Sequence, residues 1–428
     1  MITAAAFRRL QTKAQVFSLE RNAAVRSRLT HTLEVALYGQ LIARRAADLL
    51  VGSAKLDPAD VFSFITTTET ACLLHDCGNP PFGHLGEFAI QEWFTKRAFS
   101  LRRIWKQAGL EDSDIERFLS AYRAFDGNPQ AFRIVTCLQW FKDPYGLNLS
   151  FGLLGAILKY PTGVRDENKP FSKKIGFFPT EREIVETVWE KTGMTPGQRH
   201  PLAFLMEAAD DIAYCVSDIE DALEKGIVNL DDFRSKSPET AKVHWPEAIL
   251  SPKCANAEFF DFRISWTYSA VELAAQTFAN RYDEILSGQM NEPLLEADET
   301  MKSIVKGLKN FAIDRVFASK EAIHVELSGY RVVQELLKRL SPLLRLSTKD
   351  FAGVLPASPS RPKGFALERR LASLLPTKHL LFYRHVVAID SDNEPLHRMQ
   401  LLVDYVSGMT DVHALQVFRT LTAGADGV

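Results

Sequence analysis

Thirteen residues of this chain concentrate groups that do chemistry: His75–Asp76–Cys77–Gly78–Asn79–Pro80–Pro81–Phe82–Gly83–His84–Leu85–Gly86–Glu87. The adjacent His75 and Asp76 offer a nitrogen and an oxygen ligand of the kind that hold a divalent cation. After a Gly/Pro break, His84 and Glu87 are spaced so that on a helix an imidazole and a carboxylate share one face. A ligand pair beside a proton-transfer pair outlines a hydrolase. Two other segments supply matching ligand types. His31 follows Arg28–Leu29–Thr30, and Asp210 sits within Glu207–Ala208–Ala209–Asp210–Asp211. Two imidazoles and two carboxylates make a mixed N/O set suited to Mn²⁺, Fe²⁺, Co²⁺, Ni²⁺ or Zn²⁺, and less to Ca²⁺. A lone histidine on an apolar helix is ordinarily a core or surface residue, and adjacent His-Asp is common by chance. The weight comes from the set: His, then His-Asp, then Asp, on three expected helices.

Those helices can be read from periodicity. Leu33, Leu37, Leu41 and Ile42 recur at helical spacing after His31, with Glu34, Gln40, Arg44 and Arg45 between them. The segment Phe62–Leu74 is an apolar-rich helix that runs into His75 and Asp76, and Gly78 with Pro80–Pro81 must end it. A new helix is expected near His84, continuing through Phe88, Ile90 and Phe94. From Pro201 to Glu224 there is no further Pro or Gly, which predicts one long helix. Val271–Leu286 and Tyr330–Leu346 also read as helices. Strand candidates are confined to Lys174–Phe178 and Val386–Ile389. Loops are expected at Tyr160–Lys169, Gly193–His200 and Leu355–Gly364. The predicted class is therefore all-α. The Pro-rich 355–364 stretch is the expected junction between a catalytic body, residues 1–354, and a C-terminal helical portion, residues 365–428, packed on it.

At 428 residues the chain can bury a large core, and 46% hydrophobic with 24% charged residues is ordinary globular composition. A net charge of −2 argues against a surface built throughout for nucleic acid. Charge is nonetheless uneven. Arg8, Arg9, Lys13, Arg21, Arg26 and Arg28 stand against the single acid Glu20, a segment that can face a polyanion or form an ordinary solvated helix face. Five cysteines without CxxC spacing, no signal-like start and no apolar run of 18 residues predict a cytoplasmic protein with no disulfide framework and no membrane partner.

Further motifs complete a resemblance. Ala6–Phe7–Arg8–Arg9–Leu10, Arg26–Ser27–Arg28–Leu29–Thr30–His31, Asp126–Gly127–Asn128 with Ala131–Phe132–Arg133, and Gly146–Leu147–Asn148–Leu149 are part of it. So are Ile157–Leu158–Lys159–Tyr160–Pro161, Lys174–Ile175–Gly176–Phe177–Phe178, His200–Pro201–Leu202, Glu207 through Tyr214, and Asp404–Tyr405–Val406–Ser407–Gly408–Met409–Thr410–Asp411. With the thirteen residues above, these make the chain similar to the HD-domain phosphohydrolases, and within them to the bacterial deoxyguanosinetriphosphate triphosphohydrolases. The resemblance spans nearly the whole chain. It implies an HD-domain helical core with a divergent, mostly helical C-terminal region, and hydrolysis of dGTP or another dNTP to a deoxynucleoside and tripolyphosphate.

The resemblance also implies residue roles. His31, His75, Asp76 and Asp210 would hold one divalent ion, Mn²⁺ or Mg²⁺ first and Co²⁺, Ni²⁺, Fe²⁺ or Zn²⁺ as alternatives. His84 and Glu87 would be the catalytic pair. Arg28, Lys159 and Lys174 would contact phosphates, Gln15 and Val16 the sugar and base, and Asn128 a loop near the site. Tyr214 and Asp218 follow Asp210 at helical spacing on one stripe. Tyr214 would stack on the deoxyribose and Asp218 would accept from its 3′-hydroxyl; without a metal ligand on the same stripe, a core tyrosine and a solvated acid would be the ordinary reading. Asp211 points about 100° away, as a structural acid. Glu326 and Arg370 are candidates for the base side. A homohexamer is implied as well. Two features depart from the family pattern. Members carry an Arg- and Asp-bearing segment before Ala6–Phe7–Arg8–Arg9–Leu10, where this chain starts, and Asn79 stands where many members have a third His. Two rival readings remain open: an HD-type phosphohydrolase or phosphodiesterase acting on another nucleotide, and a single-stranded DNA-binding regulatory assembly using residues 8–28.

Overall fold

The computed structural model describes residues 2–20, 22–140, 142–236, 255–359 and 362–422. Arg21 and Cys254 lie outside these. The described residues are helical and connecting segments, with a single isolated β-bridge, Ala14–Ser27, in place of any strand. In chain order the helices are α1 (Ala5–Arg9), α2 (Arg28–Gly52), α3 (Val61–Leu74), α4 (Gly83–Gln107), α5 (Asp112–Arg123), α6 (Gly127–Arg133), α7 (Phe151–Ile157), α8 (Arg182–Thr192), α9 (Pro201–Glu224) and α10 (Leu230–Lys236). There follow α11 (Ala255–Asn280), α12 (Tyr282–Leu286), α13 (Glu299–Phe311), α14 (Lys320–Leu340), α15 (Thr348–Val354), α16 (Ala366–Ala372), α17 (Thr377–Ile389), α18 (Glu394–Ser407) and α19 (Asp411–Thr422). Both strand candidates are corrected: Val386–Ile389 is the end of α17, and Lys174–Phe178 is irregular chain. The expected helix 271–286 breaks at Arg281, and the one expected from Tyr330 begins ten residues earlier and gives way to a 3-10 turn at Ser341–Arg345.

Local chemistry sets the ends that matter. Ser27 caps α2 by accepting from the Thr30 N–H at 3.3 Å, while Thr30 Oγ1 accepts from the Ser27 N–H at 3.0 Å, a reciprocal capping box. Pro201 opens α9, and His200 Nδ1 accepts from the Leu202 N–H at 3.2 Å. Burial pushes the His200 ring down to about 4, so it stays neutral and able to accept.

Helix α2 lies against α3, α9 and α11. It buries Val35, Tyr38, Ile42, Ala46 and Leu50, with His31 on the same inner side. Of the leucine series that marked the helix, Leu33, Leu37 and Leu41 are 51%, 52% and 42% exposed, and only Ile42 packs inward. The inward face is instead made mostly by small and β-branched residues, with Tyr38, Leu50 and His31, which lets three helices approach α2 closely. This first core runs from Phe7 to Ala322. A second core joins α4, α5, α14 and α15 with the C-terminal helices α16–α19, and α14 packs along α4. No helix among the described residues is long and apolar enough to cross a membrane.

Candidate active site

Three helices of the first core bring the candidate ligands together. His31 sits in the first turn of α2, His75 caps the end of α3, and Asp210 lies within α9. One ligand atom from each falls within 4.8 Å of the others. Asp210 Oδ1 is 3.5 Å from His31 Nε2 and 3.6 Å from His75 Nε2. Asp76 Oδ1 is also 3.6 Å from His75 Nε2.

Each carboxylate is anchored by a cation on its second oxygen. Arg28 donates to Asp76 Oδ2 at 2.7 Å, and Lys159 donates to Asp210 Oδ2 at 3.2 Å. The Oδ1 atoms are thereby turned toward the histidines. Burial alone pushes both acids up. Arg28 outweighs it at Asp76 and Lys159 at Asp210, so both stay ionised well below the usual carboxylate range. His75 Nδ1–H donates to the Cys72 carbonyl at 2.6 Å, which fixes the tautomer and leaves Nε2 as a lone pair. That Nε2 is buried with no hydrogen-bond partner among the described residues. An orphaned imidazole nitrogen beside two ionised carboxylates is a donor set a divalent cation completes.

The loop after His75 is held tightly. Asn79 donates to Asp76 Oδ1 through its side-chain amide. Gly78 packs so closely on α6 that a Cβ there would overlap the Gly127 carbonyl and the Ala131 nitrogen. Phe82 adopts φ 63°, ψ 23°, the left-handed region, and α4 begins at the next residue. One turn later, Glu87 accepts from two donors: His84 Nδ1 at 2.9 Å and the Gly127 backbone N–H at 2.7 Å. The His84 ring is open to water, with 77% of its side chain exposed, and the hydrogen bond to Glu87 raises its pKa above the ordinary 6.5. Nδ1 is tied to the carboxylate, so Nε2 is the nitrogen that faces outward and can exchange a proton.

Residues 28–131 match the HD domain family. Over 99% of its length the chain is 37% identical to the probable deoxyguanosinetriphosphate triphosphohydrolase of Pseudomonas aeruginosa, covering 91% of that protein. It is 34% identical, over 99% of its length and 92% of theirs, to the deoxyguanosinetriphosphate triphosphohydrolases of Salmonella typhimurium and Enterobacter sp.. The chain belongs to the deoxyguanosinetriphosphate triphosphohydrolase family.

The remaining residues that the family resemblance singled out fall into three groups. Those around the centre are Arg28, Lys159 and Lys174. Lys174 pairs with Asp126 Oδ2 at 2.5 Å, and Asp126 Oδ1 accepts from the Asn128 backbone N–H at 3.0 Å, so Lys174 and Asn128 share one carboxylate. Lys159 is held in turn by Glu207 at 3.9 Å, which Arg199 anchors at 2.6 Å. Tyr214 and Asp218 lie farther along α9, with Asp218 fully buried, its Oδ2 unpartnered, and its carboxyl pushed up to about 7 by burial despite His31. Gln15 has a buried, unpartnered Oε1, and Val16 packs on the first core. Glu326, on α14, has its carboxyl raised by burial against the charge of His84. Arg370 is exposed on α16, which packs on α15 and on Ser341–Arg345, and among the described residues no hydrogen bond or ion pair joins its side chain to His84 or to the His31, His75, Asp76 and Asp210 cluster.

Asp211 pairs with Lys309 at 2.8 Å, away from the ligand set. The basic segment also differs from a solvated face. Arg26 is paired with Glu34, Glu220 and Asp221, Arg28 with Asp76, and Lys13 is buried, donating to the carbonyls of Asn79 and Ser407. Sequence reasoning gave no particular partner to Lys13, Glu207, Arg199 or the Gly127 N–H. Their role is set by partners more than 60 residues away in the cases of Lys13 and its two carbonyls, and nothing local marks them.

Proposed function

We propose that the protein is a metal-dependent dNTP triphosphohydrolase whose preferred reaction is dGTP plus water to deoxyguanosine and tripolyphosphate. The observation that carries this is the pairing of a His31/His75/Asp76/Asp210 set, its two carboxylates ionised, with an exposed His84 held by Glu87. Family membership and the names of the relatives at 34–37% identity support the substrate.

In this reading the four ligands hold one divalent ion, with Mn²⁺ or Mg²⁺ as first choice. When bound, it supplies charge on the reacting phosphate and a lowered pKa for water. Everything else is done by the chain. Glu87 fixes the ring of His84, and His84 Nε2 takes or gives the proton at the α-phosphate end. Arg28, Lys159 and Lys174 are pre-positioned by Asp76, Asp210 and Asp126, so their remaining donors face the phosphates without reorganising. Tyr214 fills the space a 2′-hydroxyl would need, which disfavours ribonucleotides.

A homo-oligomer, hexameric by family analogy, is part of the proposal. Helices α2 and α11 run side by side, Glu34 facing Arg263 and Arg45 facing Glu272. Leu33, Leu37 and Leu41 are exposed on one, and Phe260, Ile264 and Tyr268 on the other. Apolar surface of that kind on paired helices is ordinarily covered by a partner. Single-stranded DNA as an additional ligand is the remaining reading, and the internal pairing of Arg26, Arg28 and Lys13 leaves it weakly supported.

The test is product analysis. Each dNTP and GTP is supplied separately with Mn²⁺ or Mg²⁺, beside a Glu87→Ala control. Deoxyguanosine with tripolyphosphate, lost in the control, supports the reaction. Pyrophosphate or orthophosphate as the released product would refute it.

A further inference from the structure

Asp411, the first residue of α19, is 329 residues from the loop it touches. It is 2% exposed, and its two oxygens serve two different segments. Oδ1 accepts from the Phe82 N–H at 3.0 Å, and Oδ2 accepts from the Ala14 N–H at 3.1 Å. Lys13, next to Ala14, donates to the Asn79 carbonyl. The 79–82 segment is therefore gripped at both ends by groups from outside the thirteen-residue motif.

What is gripped is strained. Phe82 is left-handed at φ 63°, a conformation a phenylalanine keeps only where its surroundings over-determine it. Two surroundings do so. One is the Asp411 acceptor. The other is Gly329 on α14: a Cβ at that position would overlap Cβ and Cγ of Phe82, so the ring occupies the notch the glycine leaves. No side chain caps the start of α4. The direction in which α4 leaves the loop, and with it the position of His84 and Glu87 against Gly127, is set by how Phe82 is held.

We propose that Asp411 and Gly329 are positioning residues for the His84–Glu87 pair, acting through the left-handed Phe82. They touch neither substrate nor reacting atoms. The inference rests on the hydrolase reading for its kinetic consequence only, because the placement of α4 is measurable without substrate.

The experiment compares wild type with Asp411→Asn, Gly329→Ala, Phe82→Ala and the Phe82→Ala/Gly329→Ala double variant in the full-length protein. Misplacing a catalytic pair by about 1 Å lowers turnover by up to about 100-fold. A fall in kcat of at least about ten-fold, with KM for dGTP within about three-fold, is expected for Asp411→Asn and for Gly329→Ala. Gly329→Ala should cost nothing further once Phe82→Ala has removed the ring, since the two changes share one contact. Hydrogen exchange followed by mass spectrometry should show faster exchange in peptides covering residues 79–88 of Asp411→Asn, with those of α9 unchanged. Unchanged exchange at 79–88, additive effects of Gly329→Ala and Phe82→Ala, or loss of protection spread equally into α9 would each overturn the proposal. Should Asp411→Asn not fold, the Gly329 and Phe82 variants decide alone. A wild type that turns over no dGTP defeats the hydrolase reading, while the exchange data still decide whether Asp411 places α4.

Discussion

Glu87 does two jobs with one carboxylate, holding His84 Nδ1 and accepting from the Gly127 N–H. Glu87→Gln keeps the shape but cannot accept on both oxygens. Turnover of dGTP should fall by about 10²–10⁴, the usual worth of a positioned acid–base group, with the melting temperature nearly unchanged. The same bond sets a pH dependence. Because the folded His84 pKa lies above 6.5, the paired, protonated ring is favoured fully below that value and is lost as pH rises through the raised one. The ring is too exposed for this to matter to stability, since water screens the pair. It should appear in kcat/KM: the limb belonging to His84 titrates above 6.5 in the wild type and moves to lower pH in Glu87→Gln. A limb that stays in place would separate His84 from the rate-determining proton.

At the scale of elements, α6 carries both halves of a buried joint. Gly127 at its start meets Glu87, and Arg133 at its end is clamped by Asp404 of α18 at 2.8 Å and by Glu181 at 2.6 Å. All three side chains are essentially buried. Burial works against the guanidinium, but the two acids outweigh it and hold Arg133 charged. Removing one partner strands buried charge, so Arg133→Met should destabilise by about 3–5 kcal/mol, read as a lower denaturation midpoint. Helix α2 is the complementary case. Its existence was legible from the spacing of Leu33, Leu37, Leu41 and Ile42 after His31, but that spacing does not say which side packs, because a stripe of Leu at helical spacing is equally at home on a core or on a partner.

For the whole molecule, the four proposed ligands tie three helices of the first core together. A divalent cation should therefore raise the melting temperature. At 100 times its Kd the stabilisation amounts to about 2.7 kcal/mol, and His75→Ala should abolish the response. A melting curve indifferent to Mn²⁺, Mg²⁺ and chelator would rule out the centre. The exposed α2 and α11 stripes carry a second whole-molecule expectation. Leu37→Glu, at a site 52% exposed in the monomer, should shift sedimentation from a homo-oligomer to smaller species without unfolding the chain. Unaltered sedimentation would place the interface elsewhere.

The sequence by itself determined the all-helical class and offered the candidate ligand types and the candidate His84–Glu87 pair. Those signals are local: apolar residues at helical spacing after His31, a helix stopped by Gly78 and Pro80–Pro81, an imidazole and a carboxylate one turn apart. It also showed, through Asp404–Asp411, that the C-terminal end belonged to the same resemblance, without saying what that end does. Tertiary structure decided the rest, because it depends on contacts between residues far apart in the chain. Only the fold shows that Lys159 and Arg28 each spend a bond on a carboxylate of Asp210 or Asp76, that Arg26 and Arg28 of the basic segment are paired with acids of the same chain, that Arg370 is exposed on α16, and that Asp411 reaches back across 329 residues to hold Phe82. Periodicity and motifs report a residue's own helix; which cation meets which acid is settled when helices pack, since burial makes an unpaired charge costly and leaves few arrangements that satisfy every one.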